Sequence, residues 1–179
     1  MKTFLSILRG INVSGQKRVQ MMELKAMYEE LNFTNVLTYI QSGNVIFKNN
    51  SSADLSKQIE KKIYGKYNFE VPVLIRTAEE MQNIVNENPF LKEKDFDSSK
   101  LYVVFLSENP KKENIDAIKK YNFEPDTFYI SGKEVYVYCP LSYGKTKLTN
   151  NFFENKLDVT ATTRNWRTTT ELSQILKSY

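Results

Sequence analysis

The fold is indicated most directly by the stretch VLTYIQSGNVIFK at residues 36–48. Its two parts, residues 36–41 and 45–48, are rich in β-branched and aromatic residues, as β-strands are. The turn sequence Ser42-Gly43-Asn44 lies between them, and a short turn of this composition between two such runs predicts a β-hairpin.

The elements on either side of this hairpin alternate between strand and helix. Residues 3–8 form a short apolar run that predicts a strand, and apolar residues at helical spacing predict a helix over residues 20–31. Ser51 opens a second helix, and residues 70–75 predict another strand. The first 76 residues therefore predict the order β-α-β-β-α-β, which is the ferredoxin-like arrangement.

The second part of the chain repeats this order after a short helix and a polar connector. Thr77 and Glu80 form a capping box that opens a helix ending near Asn86, and the connector covers residues 87–100. The repeat consists of strands at 101–107, 127–131, 134–139 and 159–163, helices at 111–121 and 149–156, and a last helix at 165–177. We predict an α+β protein with two tandem ferredoxin-like halves, residues 1–86 and 101–179, and a C-terminal helix.

The composition excludes several kinds of chemistry. The 179 residues contain no histidine and one cysteine, Cys139. Imidazole catalysis, a Ser-His-Asp triad, an internal disulfide and a zinc-thiolate site are thereby excluded within the chain, and we predict no metal site and no cofactor. No apolar run approaches the ~20 residues of a membrane span, and Arg9 ends the first apolar stretch too early for a signal peptide. We expect a cytoplasmic protein that has no membrane partner.

Positive charge is concentrated at the two ends of the chain. The net charge is +4, yet residues 1–20 contain four basic residues and no acidic one, and residues 141–179 contain six basic and three acidic residues. Four of the five arginines fall in these two segments. A guanidinium presents a planar fork that suits phosphate or carboxylate, so both segments are candidate anion-binding regions. The alternative is that these arginines pair with structural carboxylates.

The candidate ligand-binding residues come from loops that the topology brings together. A ferredoxin-like half places the loop after the first strand, residues 9–18, at the same end of the sheet as the turn at residues 41–44. In the second half it brings residues 143–147 beside 162–167. The candidates are Arg9, Asn12, Lys17, Gln41, Ser42, Asn44, Lys145, Lys147, Arg164, Asn165 and Arg167. Those from residues 9–44 form a basic cluster in the first half, and those from residues 145–167 form a second one in the other half. We predict that both basic clusters line one cleft between the halves.

The sequence Gly144-Lys145-Thr146 has the form of the end of a phosphate-binding P-loop. A P-loop also requires a glycine where this chain has Cys139, so we exclude an ATPase P-loop. Lys145 and Lys147 beside a helix that begins near Thr149 still suit an anion. Thr149 acting as a simple N-cap is an equal alternative.

Three further features have a structural and a functional interpretation. Trp166 between two arginines suits stacking on a base, although burial as an anchor of the last helix is the better-supported interpretation of a single tryptophan. Tyr136 and Tyr138 lie on one face of a strand, and tyrosines suit an interface on an uncovered sheet face. Cys139 precedes Pro140 and has no close basic neighbour, which predicts a structural thiol.

Several motifs resemble those of one family. These are Leu8-Arg9-Gly10-Ile11-Asn12-Val13, Tyr39-Ile40-Gln41-Ser42-Gly43-Asn44-Val45, the Val-Leu-Ile-Arg-Thr part of residues 72–77, Asn88-Pro89-Phe90, Tyr143-Gly144-Lys145 with Lys147-Leu148-Thr149-Asn150, and Thr162-Thr163-Arg164-Asn165-Trp166-Arg167-Thr168. In order and spacing they resemble the bacterial domain of unknown function 1697 family from Phe4 to Leu172. The resemblance implies an α+β protein and no particular activity. Thr146 is one departure, since serine is expected there, and the hydroxyl is retained.

The sequence favours a protein that binds a phosphate-bearing ligand, either a nucleotide or a nucleic acid, through its basic loops. The first alternative is an enzyme that acts on a small anionic metabolite with Lys or Tyr as the acid or base. The second is an interaction module that uses the tyrosine-rich sheet face. The sequence also leaves open a homodimer.

Overall fold

The computed structural model describes residues 1–93 and 96–179. They form two compact units, residues 1–82 with 172–179 and residues 83–171. Each unit contains a four-stranded antiparallel sheet, and the strand orders β2-β3-β1-β4 and β6-β7-β5-β8 are equivalent. The predicted α+β fold with two ferredoxin-like halves and a C-terminal helix is therefore confirmed.

In the first unit the chain runs through strands and helices in the predicted order. The elements are β1 (Lys2–Leu8), α1 (Met21–Glu30), β2 (Thr34–Tyr39), β3 (Asn44–Asn49), α2 (Leu55–Tyr67), β4 (Val73–Thr77) and α3 (Ala78–Asn86). The capping box that opens α3 forms as predicted, because the Thr77 N–H donates to the Glu80 carboxylate at 2.8 Å and the Glu80 N–H donates to Thr77 Oγ1 at 3.1 Å.

The second unit repeats this order. Its elements are β5 (Leu101–Leu106), α4 (Lys112–Ile118), β6 (Thr127–Ser131), β7 (Glu134–Tyr138), α5 (Asn150–Leu157), β8 (Ala161–Asn165) and α6 (Trp166–Ser178), whose last turns belong to the first unit. Strand β8 begins two residues later than predicted, because Ala161 is the residue that pairs with Leu106 of β5.

The connector is more ordered than the sequence indicates. It contains two 3-10 turns, Pro89–Lys92 and Ser98–Lys100. Each is capped by the side chain before it, since Asn88 accepts from the Phe90 N–H and Asp97 accepts from the Ser99 N–H. Lys94 and Asp95, which the predicted connector includes, lie outside the described residues.

In each unit, helices cover one face of the sheet and bury an apolar core. The first core is centred on aromatic rings of β3 and the helix-to-strand segment, with Phe33 stacked on Phe47 at 4.5 Å between centroids. Tyr28 is buried beside them, and its hydroxyl lies 2.7 Å from Ser6 Oγ. The second core contains Val135, Val137 and other buried aliphatic and aromatic side chains. In the part of the chain that the structure describes, no helix is both long enough and apolar enough to traverse a lipid bilayer.

Candidate functional site

In the first unit, the loop that follows β1 is held by one asparagine side chain. Asn12 Nδ2 donates to the carbonyl oxygens of Val19 at 3.0 Å and Gln41 at 2.9 Å, and Asn12 Oδ1 accepts from the Val19 N–H at 2.9 Å. These bonds join both ends of the loop to the β2–β3 turn. The predicted approach of residues 9–18 to residues 41–44 is confirmed, and Asn12 contributes to it structurally.

The turn between β2 and β3 is equally well organised. Asn44 is fully buried, and its Nδ2 donates to Ser42 Oγ at 2.9 Å and to the Tyr39 carbonyl at 3.2 Å. Gly43 has a φ of +75°, and a Cβ there would lie 2.7 Å from Ile11 Cδ1. Ser42 and Asn44 therefore shape the turn, and Gln41 is exposed at its surface.

The tip of the loop carries the exposed cationic groups of the first unit's cluster. Ser14 and Gly15 both have positive φ, and the Gln16 N–H donates to the Val13 carbonyl at 2.9 Å, which makes a type I′ turn. Lys17 and Arg18, which follow this turn, are exposed. Lys17 Nζ donates to the Glu70 carbonyl at 2.6 Å. A hydrogen bond to a carbonyl leaves the ammonium charge uncompensated.

Arg9 is half-buried at the start of this loop. Its backbone N–H donates to the Pro72 carbonyl at 2.9 Å, which ties the loop to the segment before β4. Arg9 therefore contributes to the base of the cluster and not to its tip.

In the second unit, Arg164 lies inside strand β8 and not in a loop, which corrects the sequence-based placement. It is 8% exposed, and its Nη1 donates to Thr162 Oγ1 at 3.0 Å and to the Thr163 carbonyl at 2.9 Å. Burial lowers the pKa of Arg164 to about 10, so the guanidinium remains charged at neutral pH. The strand extends through this residue because it pairs with Val103 of β5.

The same arrangement occurs in the first unit at Arg76. Both arginines are the fourth residue of the last strand of their sheet, and both are buried. Arg76 Nη1 donates to the preceding carbonyl, that of Ile75, at 2.9 Å, as Arg164 does to Thr163. The duplication therefore includes a buried arginine that precedes a capped helix.

Lys145 and Lys147 lie on a well-defined turn between β7 and α5. The turn Tyr143–Lys145 is capped by Ser142, whose Oγ accepts from the Gly144 N–H. Thr146 Oγ1 donates to the Asp126 carboxylate at 2.6 Å. Both lysines are exposed, and neither forms an ion pair with any residue that the structure describes.

Helix α5 begins directly after Thr149, the residue predicted as its cap. Thr149 Oγ1 accepts from the Phe152 N–H at 3.2 Å. The N-cap interpretation of Thr149 is therefore confirmed, and its hydroxyl is engaged by the helix.

A tyrosine links this basic turn to strand β8. Tyr143 donates from its hydroxyl to Thr163 Oγ1 at 2.9 Å, and Thr163 Oγ1 donates to Asn150 Oδ1 at 2.6 Å. The Tyr143 ring stacks on Tyr102 of β5 with 4.4 Å between centroids. The predicted approach of residues 143–147 to residues 162–167 is confirmed through this contact.

A pocket of about 550 Å³ opens beside these tyrosines. It is lined by Ser98, Ser99, Tyr102, Asn165, Trp166, Arg167 and Thr170. The antiparallel pairing of β5 with β8 sets Tyr102 opposite Asn165, which brings the turn before β5 next to the first turn of α6. The pocket thus combines two aromatic residues, two serines and an arginine.

Two of the predicted site residues line this pocket. Asn165 is exposed, and its Oδ1 accepts from the Thr168 N–H at 2.8 Å, so it caps α6. Arg167 is exposed, and its guanidinium has no partner among the residues that the structure describes. Trp166 is 8% exposed, which supports its predicted role as a helix anchor.

The sequence analysis missed Ser98, Ser99 and Tyr102. Their local signal is weak, because Asp97-Ser98-Ser99 is an ordinary turn sequence in which Asp97 accepts from the Ser99 N–H.

The prediction that both basic clusters line one cleft stays a prediction. Within residues 1–93 and 96–179, no three His, Cys, Asp or Glu side chains are grouped so that they would hold a metal ion.

The tyrosine-rich face of the second sheet is partly covered by its own unit. Tyr136 is 3% exposed, and its hydroxyl donates to the Ile84 carbonyl at 3.0 Å. Tyr138 packs near Phe90, with 5.7 Å between ring centroids. Tyr129 is the more open ring, at 46% exposure. Cys139 is fully buried, which supports the predicted structural role of its thiol.

Comparison with known proteins relates these features to a family. Among solved structures, the conserved bacterial protein SP0830 from Streptococcus pneumoniae is similar, with a TM-score of 0.78, 24% sequence identity and 98% of each chain covered. At this identity the likeness concerns the fold alone. No curated protein matches the chain. A family model described as "Protein of unknown function (DUF1697)" matches residues 1–136. Because that match includes the basic loop, the β2–β3 turn, the whole first sheet and β5, the chain belongs to the DUF1697 family.

Proposed function

We propose that the protein binds an anionic, phosphate-bearing ligand, a nucleotide or a nucleic acid, through its basic loops. The observation that carries this proposal is the pocket of the second unit, where the exposed Arg167 stands beside Ser98, Ser99 and Tyr102. Ligand pockets of this size, about 300–1,000 Å³, accommodate molecules as large as a nucleotide.

The polar groups of this pocket suit a phosphate. Arg167 offers a planar pair of donors, which matches two phosphate oxygens. Ser98 adds a hydroxyl donor, whereas the Ser99 hydroxyl is already hydrogen-bonded to the Asp97 carboxylate. The first turn of α6 presents backbone N–H groups that have no partner within the helix, of which the Thr168 N–H is already used by Asn165. A phosphate held here would meet three kinds of donor.

The aromatic groups beside the pocket favour a nucleotide over a bare phosphate. Tyr102 lines the pocket, and its ring is supported from one side by Tyr143. Stacking of a base on an aromatic ring contributes about 1–3 kcal/mol and requires no particular base. Lys145 and Lys147 follow Tyr143 on the adjacent turn, so a longer strand would find further cationic contacts there.

The basic loop of the first unit supports a ligand that carries several phosphates. Lys17 and Arg18 are exposed at the loop tip, next to the exposed Gln41. Residues 1–20 contain no acidic residue that would compensate these charges. Electrostatic attraction of this kind supplies most of the affinity in binding that does not depend on sequence.

The proposal is tested by fluorescence anisotropy with a fluorescein-labelled single-stranded oligonucleotide of about 12 nucleotides, a length within the usual site sizes. Arg167→Ala should weaken binding by about 1.5–3 kcal/mol, the range for a charge-assisted hydrogen bond. Lys119→Ala is the matched control, because Lys119 is exposed at the end of α4, outside the pocket. Equal effects of the two variants, or no binding by the unaltered protein, would refute the proposal.

Competition separates the ligand classes. If the ligand is a nucleotide or nucleic acid, adenosine monophosphate should displace the probe at lower concentration than inorganic phosphate. The reason is that adenosine monophosphate has a base that can stack on Tyr102, whereas inorganic phosphate has none. Equal displacement by both would instead favour the alternative of a small anionic metabolite.

The sheet-face interaction module is not favoured, since Tyr136 is buried within its own unit. We also propose the cytoplasm as the protein's compartment, which the unpaired thiol of Cys139 supports.

A further inference from the structure

Three aliphatic side chains are exposed at one end of the first unit. Val13 lies on the loop after β1, Met22 in the first turn of α1 and Ile40 in the β2–β3 turn, with exposed fractions of 60%, 84% and 50%. The loop leads directly into α1, and the Asn12 side chain ties it to Gln41, which follows Ile40. We refer to Val13, Met22 and Ile40 as the apolar group. None of them belongs to the first core.

The backbone of Ile40 is unusual for its residue type. Its φ is +51°, in the left-handed region that β-branched residues rarely adopt. Glycine adopts this region readily, as Gly43 does three residues later. Because half of the Ile40 side chain is exposed, neither the turn nor the core explains an isoleucine here. Backbone outliers of this kind concentrate at binding sites, which points to a contact with a ligand.

The loop that carries Val13 is a short β-hairpin. Val13 pairs with Gln16 across the turn at residues 14–15, and the Asn12 N–H donates to the Lys17 carbonyl at 3.2 Å. The side-chain hydrogen bonds of Asn12 fix this hairpin to the rest of the first unit. Val13 is therefore presented on a backbone that is already ordered, so that binding costs little conformational entropy there.

Two cationic side chains of the same hairpin accompany the apolar group. Arg18 is exposed and forms no hydrogen bond or ion pair with the described part of the chain. Lys17 donates to the Glu70 carbonyl, which leaves its charge uncompensated. The first acidic residue of the sequence, Glu23, already lies 3.6 Å from Lys66. This end of the first unit therefore combines uncovered aliphatic surface with positive charge that is available to an anion.

We propose that this end of the first unit binds double-stranded DNA and places Val13 and Ile40 against a base step that it opens. The contact of Lys17 and Arg18 with phosphates rests on the proposed function, whereas the duplex and the base step go beyond it. Proteins that kink a duplex insert apolar side chains, isoleucine and methionine among them, between stacked bases in the minor groove. Single strands bind instead to aromatic platforms, and the apolar group contains no aromatic ring.

The test is a titration of a DNA duplex of about 21 base pairs, two helical turns, with the full chain. The duplex carries 2-aminopurine beside a central TA step, which unstacks easily, and the fluorescence of this base rises when it leaves the stack. The unaltered protein should raise the fluorescence at saturation. Ile40→Asn should remove most of this rise, because the apolar contact is lost. Asparagine tolerates the left-handed backbone, so the variant should still fold.

Leu91→Asn is the matched control for the apolar contact, because it removes an exposed aliphatic side chain of the second unit in the same way. It should keep the fluorescence rise. For the charges, Arg18→Ala should raise Kd for the duplex about tenfold. Lys57→Ala, which removes one exposed cation near the start of α2, should change Kd less than about twofold.

The proposal is overturned if the saturated duplex shows no fluorescence rise, if Ile40→Asn keeps the rise, or if Leu91→Asn loses it equally. Phosphatidylglycerol vesicles that outcompete the duplex would assign the apolar group to a lipid surface and would also overturn it. Arg167→Ala separates this proposal from the proposed function, since it should weaken binding of the single strand and leave the rise intact. Single-strand binding without the rise would refute the base-step contact alone, and the rise without single-strand binding would refute the pocket alone.

Discussion

Arg164 and Arg167 are three positions apart in the sequence, yet they have opposite environments. Arg164 is buried in β8 and donates to Thr162 and Thr163, whereas Arg167 is exposed on the first turn of α6. The corresponding residue of the first unit, Arg76, is buried as Arg164 is. We infer that the buried arginines stabilise the sheets and that Arg167 is the member available to a ligand.

This difference predicts opposite consequences of removing the two side chains. Arg164→Ala should lower the free energy of unfolding by about 2–3 kcal/mol, because hydrogen bonds from a charged donor are lost in a buried place. Arg167→Ala should change it by less than about 0.5 kcal/mol, as is usual for an exposed side chain. Urea denaturation followed by circular dichroism measures both values. Comparable losses in the two variants would contradict the assignment.

Cys139 offers a second test at this scale. Burial raises the pKa of its thiol to about 11 from an ordinary value near 9. Because the folded protein favours the neutral thiol, this group's stabilising contribution is complete below the unfolded pKa and is lost as pH rises from about 9 to 11. The free energy of unfolding should fall more steeply in this range for the unaltered protein than for Cys139→Ala. Rapid labelling of the native protein by a thiol reagent at neutral pH would contradict the burial that causes the shift.

At the scale of elements, the β2–β3 hairpin shows how local sequence and packing combine. Gly43 adopts a positive φ that glycine tolerates readily, and its missing side chain leaves room for Ile11 and Leu8 of the preceding segment. Asn12 then bridges that segment to Gln41. The loop and the turn consequently form a single structure, in which Asn12, Ser42 and Asn44 act as supports and leave Lys17 and Gln41 exposed.

Two glycines of this region form a matched pair for a stability test. Gly10 has a φ of +71° and no atom within 4 Å of the place where a Cβ would be, whereas at Gly43, with φ +75°, a Cβ would lie 2.7 Å from Ile11 and 2.8 Å from Leu8. Both alanine variants carry the cost of a left-handed residue, about 1–2 kcal/mol. Gly43→Ala should lose a further ~1–3 kcal/mol through overpacking. Denaturant titration of the two variants measures the difference in their free energies of unfolding. Equal losses of this free energy would show that Ile11 and Leu8 accommodate the added Cβ without strain.

At the scale of the whole molecule, the net charge of +4 conceals an uneven distribution of positive charge. The middle of the chain is slightly acidic, and the excess lies in the two terminal segments. Both segments contribute exposed lysines at loops, Lys17 in the first unit and Lys145 with Lys147 in the second. Such a distribution attracts a polyanion and makes its binding depend on salt.

The salt dependence gives a measurement for the proposed contacts. Each phosphate contact to a single strand contributes about 0.7 to the slope of log affinity against log salt concentration. Replacing Lys145 and Lys147 by alanine should therefore reduce the slope by about 1.4. The double variant Lys119→Ala with Lys120→Ala, which removes two exposed lysines from the end of α4, should leave the slope nearly unchanged. A slope that both double variants reduce equally would indicate attraction to net charge and no defined contact.

The order of elements and the duplicated fold follow from the sequence itself, because they depend on local physics. Alternating apolar runs, the glycine turns at Gly43 and Gly132 and the capping box of Thr77 with Glu80 act over a few residues, and each appears in the structure as predicted. The pocket beside Arg167 and the burial of Arg164 depend instead on the pairing of β5 with β8, in which Tyr102 lies opposite Asn165 although the two residues are far apart in the chain. No local sequence signal near these residues predicts that pairing. Tertiary packing decides which side chains remain in contact with water. For that reason the structure adds Ser98, Ser99 and Tyr102 to the site candidates and gives Arg164 a structural role.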